Sequence, residues 1–149
     1  MSEKKVTSLV WFRNNLRVID NLSLKKSIEN SDKVIGYVNI DPNINSTTIY
    51  GFKKTEKYRI KFLLESISDL KKQLKKINVS LVVKNEDLKS SINSVIRKYE
   101  IDNIYIQKEW TRDELIEEEC IPSDINLIKD FDQFLFSPSD VSEIYENIP

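Results

Sequence analysis

The residue types best suited to chemistry sit together in one short stretch, Trp11-Phe-Arg13-Asn-Asn15-Leu-Arg17-Val-Ile-Asp20-Asn21. Two guanidinium groups four residues apart, followed by an Asp-Asn pair of helix-capping type, can hold an anion. The same residues have a plainer use, with Arg13 and Arg17 stapling their loop to acidic neighbours, and on residue types alone the plainer use is favoured. Other chemistries are closed off. The chain has no histidine, which removes every Ser-His or Cys-His device and the commonest zinc ligand, so neither a catalytic residue nor a metal site is assigned. Gly36 and Gly51 stand far apart, so neither G-x-G-x-x-G nor a P-loop exists to cradle phosphates, and an ordinary dinucleotide or ATP site is not expected. The single cysteine, Cys120, has no base near it in sequence and reads as an inert thiol.

A scaffold must hold that stretch, and apolar runs alternating with helical periodicities supply one. Residues 7–12 form a continuous apolar run, as expected of a strand buried on both faces. Asp20 is the expected N-cap of a short helix carrying Leu22, Leu24 and Ile28. Residues 33–40 read as a second strand and 42–53 as a loop. The strongest helix spans 55–76, where Ile60, Leu63, Ile67, Leu70, Leu74 and Ile77 fall on one stripe. A strand at 79–83 precedes a helix capped by Asn85, whose Leu88, Ile92, Val95, Ile96 and Tyr99 share a face. Strands at 103–107 and 125–129 flank an acidic helix at 112–119. Such alternation implies right-handed crossovers and an α/β, Rossmann-like three-layer α/β/α domain with a five-stranded parallel sheet. Ligands of such sheets bind beyond the carboxyl ends of the strands. Here that edge comprises the loops 13–19, 41–54, 84–87 and 108–112.

Composition bounds the rest. A chain of 149 residues with 40% apolar and 32% charged residues fits one ordinary domain. No stretch approaches the roughly 18 apolar residues of a membrane span, and the apolar block near the N-terminus is too brief for a secretory signal. One cysteine fits a reducing, cytoplasmic setting. The net charge of −1 makes the chain as a whole no polyelectrolyte trap for nucleic acid. Locally the long helix is basic (Lys53, Lys54, Lys57, Arg59, Lys61, Lys71, Lys72, Lys75, Lys76), a pattern able to steer DNA but more often just a solvated face. Trp11, inside an apolar strand, reads as core rather than as an electron relay.

The first loop resembles the N-terminal signature of DNA photolyases and cryptochromes, W-F-R-x-D-L-R-x-x-D-N, matching Trp11, Phe12, Arg13, Leu16, Arg17, Asp20 and Asn21. It departs at Asn15, where the family usually has Asp. Gly51-Phe-Lys-Lys-Thr-Glu-Lys-Tyr-Arg59 with Phe62-Leu-Leu-Glu-Ser66 and Asp69-Leu70 resembles the K-T-G-x-x-R-x-x-F-L-L-E-S-x-x-D-L block of DASH-type cryptochromes, with Glu56 in place of Gly. Leu81-Val-Val-Lys84 and Lys108-Glu-Trp-Thr111 match further family positions. Leu135-Phe-Ser-Pro-Ser-Asp-Val141 is similar to the family's L-Y-H-x-D-D-L segment, with Ser137 where His is common.

The resemblance implies an N-terminal α/β domain over residues 1–136, the start of an interdomain linker over 137–149, and a helical FAD-binding domain absent from this sequence. It implies a parent that repairs cyclobutane pyrimidine dimers in DNA by light-driven electron transfer from FAD, while this half carries the antenna pigment. The implied pigment is methenyltetrahydrofolate, or a deazaflavin, and its candidate contacts are Arg13, Asn15, Asp41, Glu109 and Arg112. Glu109 suits a pterin amino group because a carboxylate accepts two parallel N–H bonds, and it suits equally a solvated charge opening an acidic helix. Trp110 would pack on the second domain or stack on a pigment. By itself the domain is expected to be inactive, without FAD and with weak folate binding, because half a pocket leaves the ligand's other face in water. Two further readings stay open: a free-standing cryptochrome-like signalling module, and a small nucleotide-binding α/β protein. The apolar tail (Phe131, Phe134, Leu135, Phe136) weighs against the first, and the missing glycine-rich loop against the second.

Overall fold

The structure, a computed structural model, describes residues 5–136; the expected linker, 137–149, lies outside the described residues. The elements follow in strict alternation: β1 (Thr7–Trp11), α1 (Leu22–Glu29), β2 (Lys33–Asn39), α2 (Lys57–Lys76), β3 (Ser80–Lys84), α3 (Leu88–Tyr99), β4 (Asn103–Gln107), α4 (Arg112–Glu118) and β5 (Asn126–Asp130). All four strand pairings are parallel, in the order β3-β2-β1-β4-β5, so the α/β architecture read from the sequence is the one observed. Among the described residues no helix is long and apolar enough to cross a membrane.

Alternation along the central strands builds two cores. Leu9, Trp11, Ile35, Tyr37, Ile104 and Ile106 face α3, meeting Ile92, Val95 and Ile96. Val10, Phe12, Val38 and Tyr105 face the other way, toward Leu24 of α1 and Ile67, Leu70 and Leu74 of α2. Trp11 is fully buried and tilted against Tyr37, with ring centroids 6.2 Å apart, as a core residue would be. Burial pushes the Tyr37 hydroxyl up to about 12 even though it shares a hydrogen bond with Ser91. Gly36 makes the close seat of α2 possible, since a Cβ there would lie 2.9 Å from Leu81 Cδ1 and 3.2 Å from Leu74 Cδ1.

Three local details differ from the sequence expectation. The N-cap of α1 is Asn21, whose Oδ1 accepts the Leu24 N–H at 3.0 Å, whereas Asp20 takes a left-handed φ of 52°. An N-cap needs extended backbone and a side-chain acceptor, and of two adjacent capping types only the second has both. Helix α3 is capped by Asp87, not Asn85, through the Ser90 N–H. The stripe on α2 buries only its later members, Ile67, Leu70 and Leu74, while Ile77 is the exposed C-cap.

Candidate functional site

The strand order reverses between β1 and β4. Chain leaving β1 crosses toward β2 over one face and chain leaving β4 crosses toward β5 over the other, so their loops part and leave a crevice at the carboxyl edge. All five candidate residues lie along this edge, and Arg13, Asn15 and Glu109 lie at the crevice itself.

The β1 loop is folded by its own amides. Asn15 is buried; its Oδ1 accepts the Arg13 N–H at 3.2 Å and its carbonyl the Arg17 N–H at 2.6 Å. Asn21 Nδ2 donates to the Arg17 carbonyl at 3.0 Å and reaches the Asn15 carbonyl at 3.5 Å. Asn15 Oδ1 therefore does what an aspartate oxygen would do there, while Nδ2 is buried without a partner.

Arg13 is pinned inside the fold. Nη2 donates to the Gln107 carbonyl at 2.7 Å and to Glu118 at 3.1 Å, Nη1 donates to the Glu114 carbonyl at 3.1 Å, and the guanidinium covers the Trp11 ring at 5.2 Å. Glu118 takes Lys129 on its other oxygen. Arg17 pairs with Asp132 at 3.3 Å, and Asp132 also accepts the Leu22 N–H at 3.0 Å, adding a second cap to α1. The stapling that residue types favoured is thus present, and the Arg13 fork is committed to protein partners. Helix α4 crowds this cation with carboxylates. Burial raises the Glu117 carboxyl above its usual range; Arg13 opposes that shift, and Glu114, Asp113 and Asp41 reinforce it.

Glu109 is buried rather than solvated. One oxygen accepts Gln107 Nε2 at 3.1 Å and the other accepts Gln133 Nε2. Beside it Lys108 lies between the rings of Trp110 and Phe131, 5.0 and 4.5 Å from their centroids. Asp41, in the β2 loop, is half-buried. Burial pushes its carboxyl up, but the Asn43 N–H and the Lys54 ammonium outweigh that and leave it below the ordinary range. Arg112 opens α4 as an exposed side chain.

The sequence offered no direct signal for Gln107, Glu114, Glu118 or Gln133. Only the i, i+4 spacing of Glu114 and Glu118 on the acidic helix marks them as one face. Among the described residues, the buried side-chain polar atoms that lack a partner are Arg13 Nε, Asn15 Nδ2, Asn39 Oδ1, Gln107 Oε1 and Glu114 Oε2. All belong to the carboxyl edge or the helix packed on it. Buried polar atoms are normally satisfied, so a cluster of orphans, two donors and three acceptors, marks where water or a polar ligand belongs. The unpaired acceptors suit a ligand that presents N–H groups, and Glu109 shows the same capacity, accepting one amide N–H on each oxygen. Among the described residues no group of three or more Cys, Asp or Glu side chains is arranged to hold a metal ion.

Comparison with known proteins agrees with this architecture. The family model described as DNA photolyase matches residues 8–146. A cryptochrome DASH from Gloeobacter violaceus is 30% identical over 154 aligned positions, covering 100% of this chain and 30% of that protein. A chloroplastic/mitochondrial cryptochrome DASH from Oryza sativa is 34% identical, covering 76% of this chain and 20% of that protein. The crystal structure of a Synechocystis cryptochrome superposes with a TM-score of 0.84 at 28% identity, covering 94% of this chain and 30% of that one. The chain thus spans a third or less of the length of these relatives.

Proposed function

The chain belongs to the DNA photolyase family, as its N-terminal α/β domain, and from that membership we propose that it is the light-harvesting half of a DASH-type photolyase or cryptochrome. The observation that carries this reading is the group of orphaned buried polar atoms Arg13 Nε, Asn15 Nδ2 and Gln107 Oε1 on β4 and the β1 loop, at the switch in strand order where a parallel sheet of this kind binds ligands. The pigment proposed for it is methenyltetrahydrofolate, which when bound absorbs light and passes the excitation to a flavin. Glu109 would hold the pterin amino edge in place of the Gln133 amide, with Asn15 Nδ2 and Gln107 Oε1 completing donor and acceptor contacts. Arg13 acts one step back, fixing the Gln107 carbonyl and so the strand end that aims Glu109. Asp41 and Arg112 would serve as outer contacts from neighbouring loops.

FAD, and DNA carrying cyclobutane pyrimidine dimers, are proposed as cofactor and substrate of the whole protein, through a helical second domain following a linker at 137–149. A reduced flavin supplies there the electron that opens the dimer. This domain's own residues bind and orient the pigment and exclude water from one of its faces.

A fluorescence titration of the chain with methenyltetrahydrofolate tests the reading. We expect a saturable Kd weaker than ~1 μM, since one domain covers one ligand face, and its loss in Glu109→Gln. Binding unaffected by Glu109→Gln would contradict the assignment, and submicromolar binding would show that this domain holds the whole pocket.

A further inference from the structure

We propose that residues 133–136 form a flap, hinged at Asp132, that closes the crevice until a ligand displaces it, with the Gln133 amide holding on Glu109 the place of the ligand's N–H edge. This regulation rests on the crevice being the pigment site proposed above. The segment after β5 crosses the mouth of the crevice, because its contacts lie on both banks. Arg17 and Leu22 follow β1, and Lys108, Glu109 and Trp110 follow β4, the two strands between which the sheet order reverses.

The first part of this segment is fixed. The Lys108 N–H donates to the Asp130 carbonyl at 2.8 Å, continuing the β4–β5 pairing. Asp132 takes Arg17 Nη2 on its carbonyl and on Oδ2, both at 3.3 Å, and Oδ2 also accepts the Leu22 N–H at 3.0 Å. The second part hangs on two side chains. Gln133 Nε2 donates to Glu109, and the Phe134 ring is tilted against Trp110, centroids 6.2 Å apart. Phe134 stays 58% exposed, and Leu135 and Phe136 are exposed after it, so the flap buries little apolar surface. Residues 131–136 form neither helix nor strand. Segments with so few buried contacts open at a small fraction of the free energy that holds the whole fold.

Glu109 turns the flap from a cover into a competitor. It is 6% exposed and accepts one amide N–H on each oxygen, but the two amides are held differently. Gln107 ends β4 opposite Asp130 of β5, and the sheet holds it. Gln133 is an exposed residue outside every element. A ligand with an N–H edge can therefore replace Gln133 one hydrogen bond for another, leaving the buried carboxylate as well satisfied as before. Closure lowers the apparent affinity by the fraction of chains whose flap is open, so whatever frees the flap raises it. The chain reports this motion itself. Of its two tryptophans, Trp11 is buried and Trp110 is 48% exposed, so a soluble quencher reaches Trp110 alone. Phe131, 5.4 Å from Trp110, stays with the fixed part, whereas Phe134 leaves with the flap.

Two measurements on the full chain test the flap, one without ligand and one with it. Without ligand, Gln133→Ala should raise the acrylamide quenching of Trp110 by about twofold, because Phe134 no longer shields the indole. Titrated with methenyltetrahydrofolate, Gln133→Ala and Phe134→Ala should each bind at least about fivefold more tightly than the parent chain. The sign separates a flap from a wall of the pocket, since a residue that supported or touched the ligand would weaken binding when removed. Adding Glu109→Gln to Gln133→Ala should abolish the gain, because the oxygen that both amides compete for is gone. Binding by Gln133→Ala or Phe134→Ala no tighter than that of the parent overturns the proposal, and so does quenching that does not rise in Gln133→Ala. Failure of the pigment reading looks different: neither the parent nor the variants bind at ~1 mM ligand, which removes the flap's role together with the site even where quenching rises.

Discussion

The crevice between β1 and β4 and the outer half of α2 spend their charges in opposite ways. At the crevice a guanidinium, two glutamates and several amides are desolvated and tied to one another across the chain, so that Arg13 alone joins β1 to β4 and α4. On α2 and the loop before it, cations and rings stand in water with local contacts only. A buried, pre-formed set of hydrogen-bonding atoms recognises a small polar molecule by fit and rejects what leaves its groups unpaired. One sheet thus carries two contrasting surfaces, distinguished by where the fold seats its helices.

Breaking the buried network should produce the largest effect. Arg13→Ala strips the buried Glu118 of one partner and removes the guanidinium donors from the Gln107 and Glu114 carbonyls, a loss of about 3–5 kcal/mol in urea unfolding; a loss under ~1 kcal/mol would mean the network is looser than its geometry. Next comes the contrast within α2 itself. Leu74→Ala, in the seated half, should cost about 2–5 kcal/mol, while Phe62→Ala, in the free half, should stay within ~0.5 kcal/mol. Comparable losses at both positions would show that the outer half is packed, not free.

The smallest effect sharpens the electrostatic side. The carboxyl of Glu117 titrates above its unfolded value, so the folded chain holds that proton more tightly and stability declines as pH rises through the folded value. Glu117→Gln should therefore gain stability over the parent near neutral pH, and the gain should vanish once the parent's Glu117 is protonated in acid. Melting curves across that range check it, and a gain that persisted in acid would rule out the buried charge of Glu117 as the cause.

The sheet was legible because five apolar runs and three amphipathic periods each fit one element. The caps were less so, since Asp20 and Asn21 are both capping types and only the backbone angle at Asp20 separates them. The periodic stripe on α2 names an apolar face without revealing how much of it a neighbour covers, so period alone groups Ile60 and Ile77 with Leu74. Arg13 and Glu109 stood out by type and by resemblance. Their partners did not, because those of Arg13 lie 94 to 105 positions away and meet it only once β4 and α4 are laid beside β1.

The most direct test of the account is an amide-resolved NMR titration of the chain with methenyltetrahydrofolate, which locates even weak binding. The account predicts shifts concentrated at Arg13, Asn15, Gln107, Glu109 and Gln133, with Lys53, Lys57 and Lys61 unmoved. Shifts centred on α2 instead, or none at millimolar ligand, would contradict it.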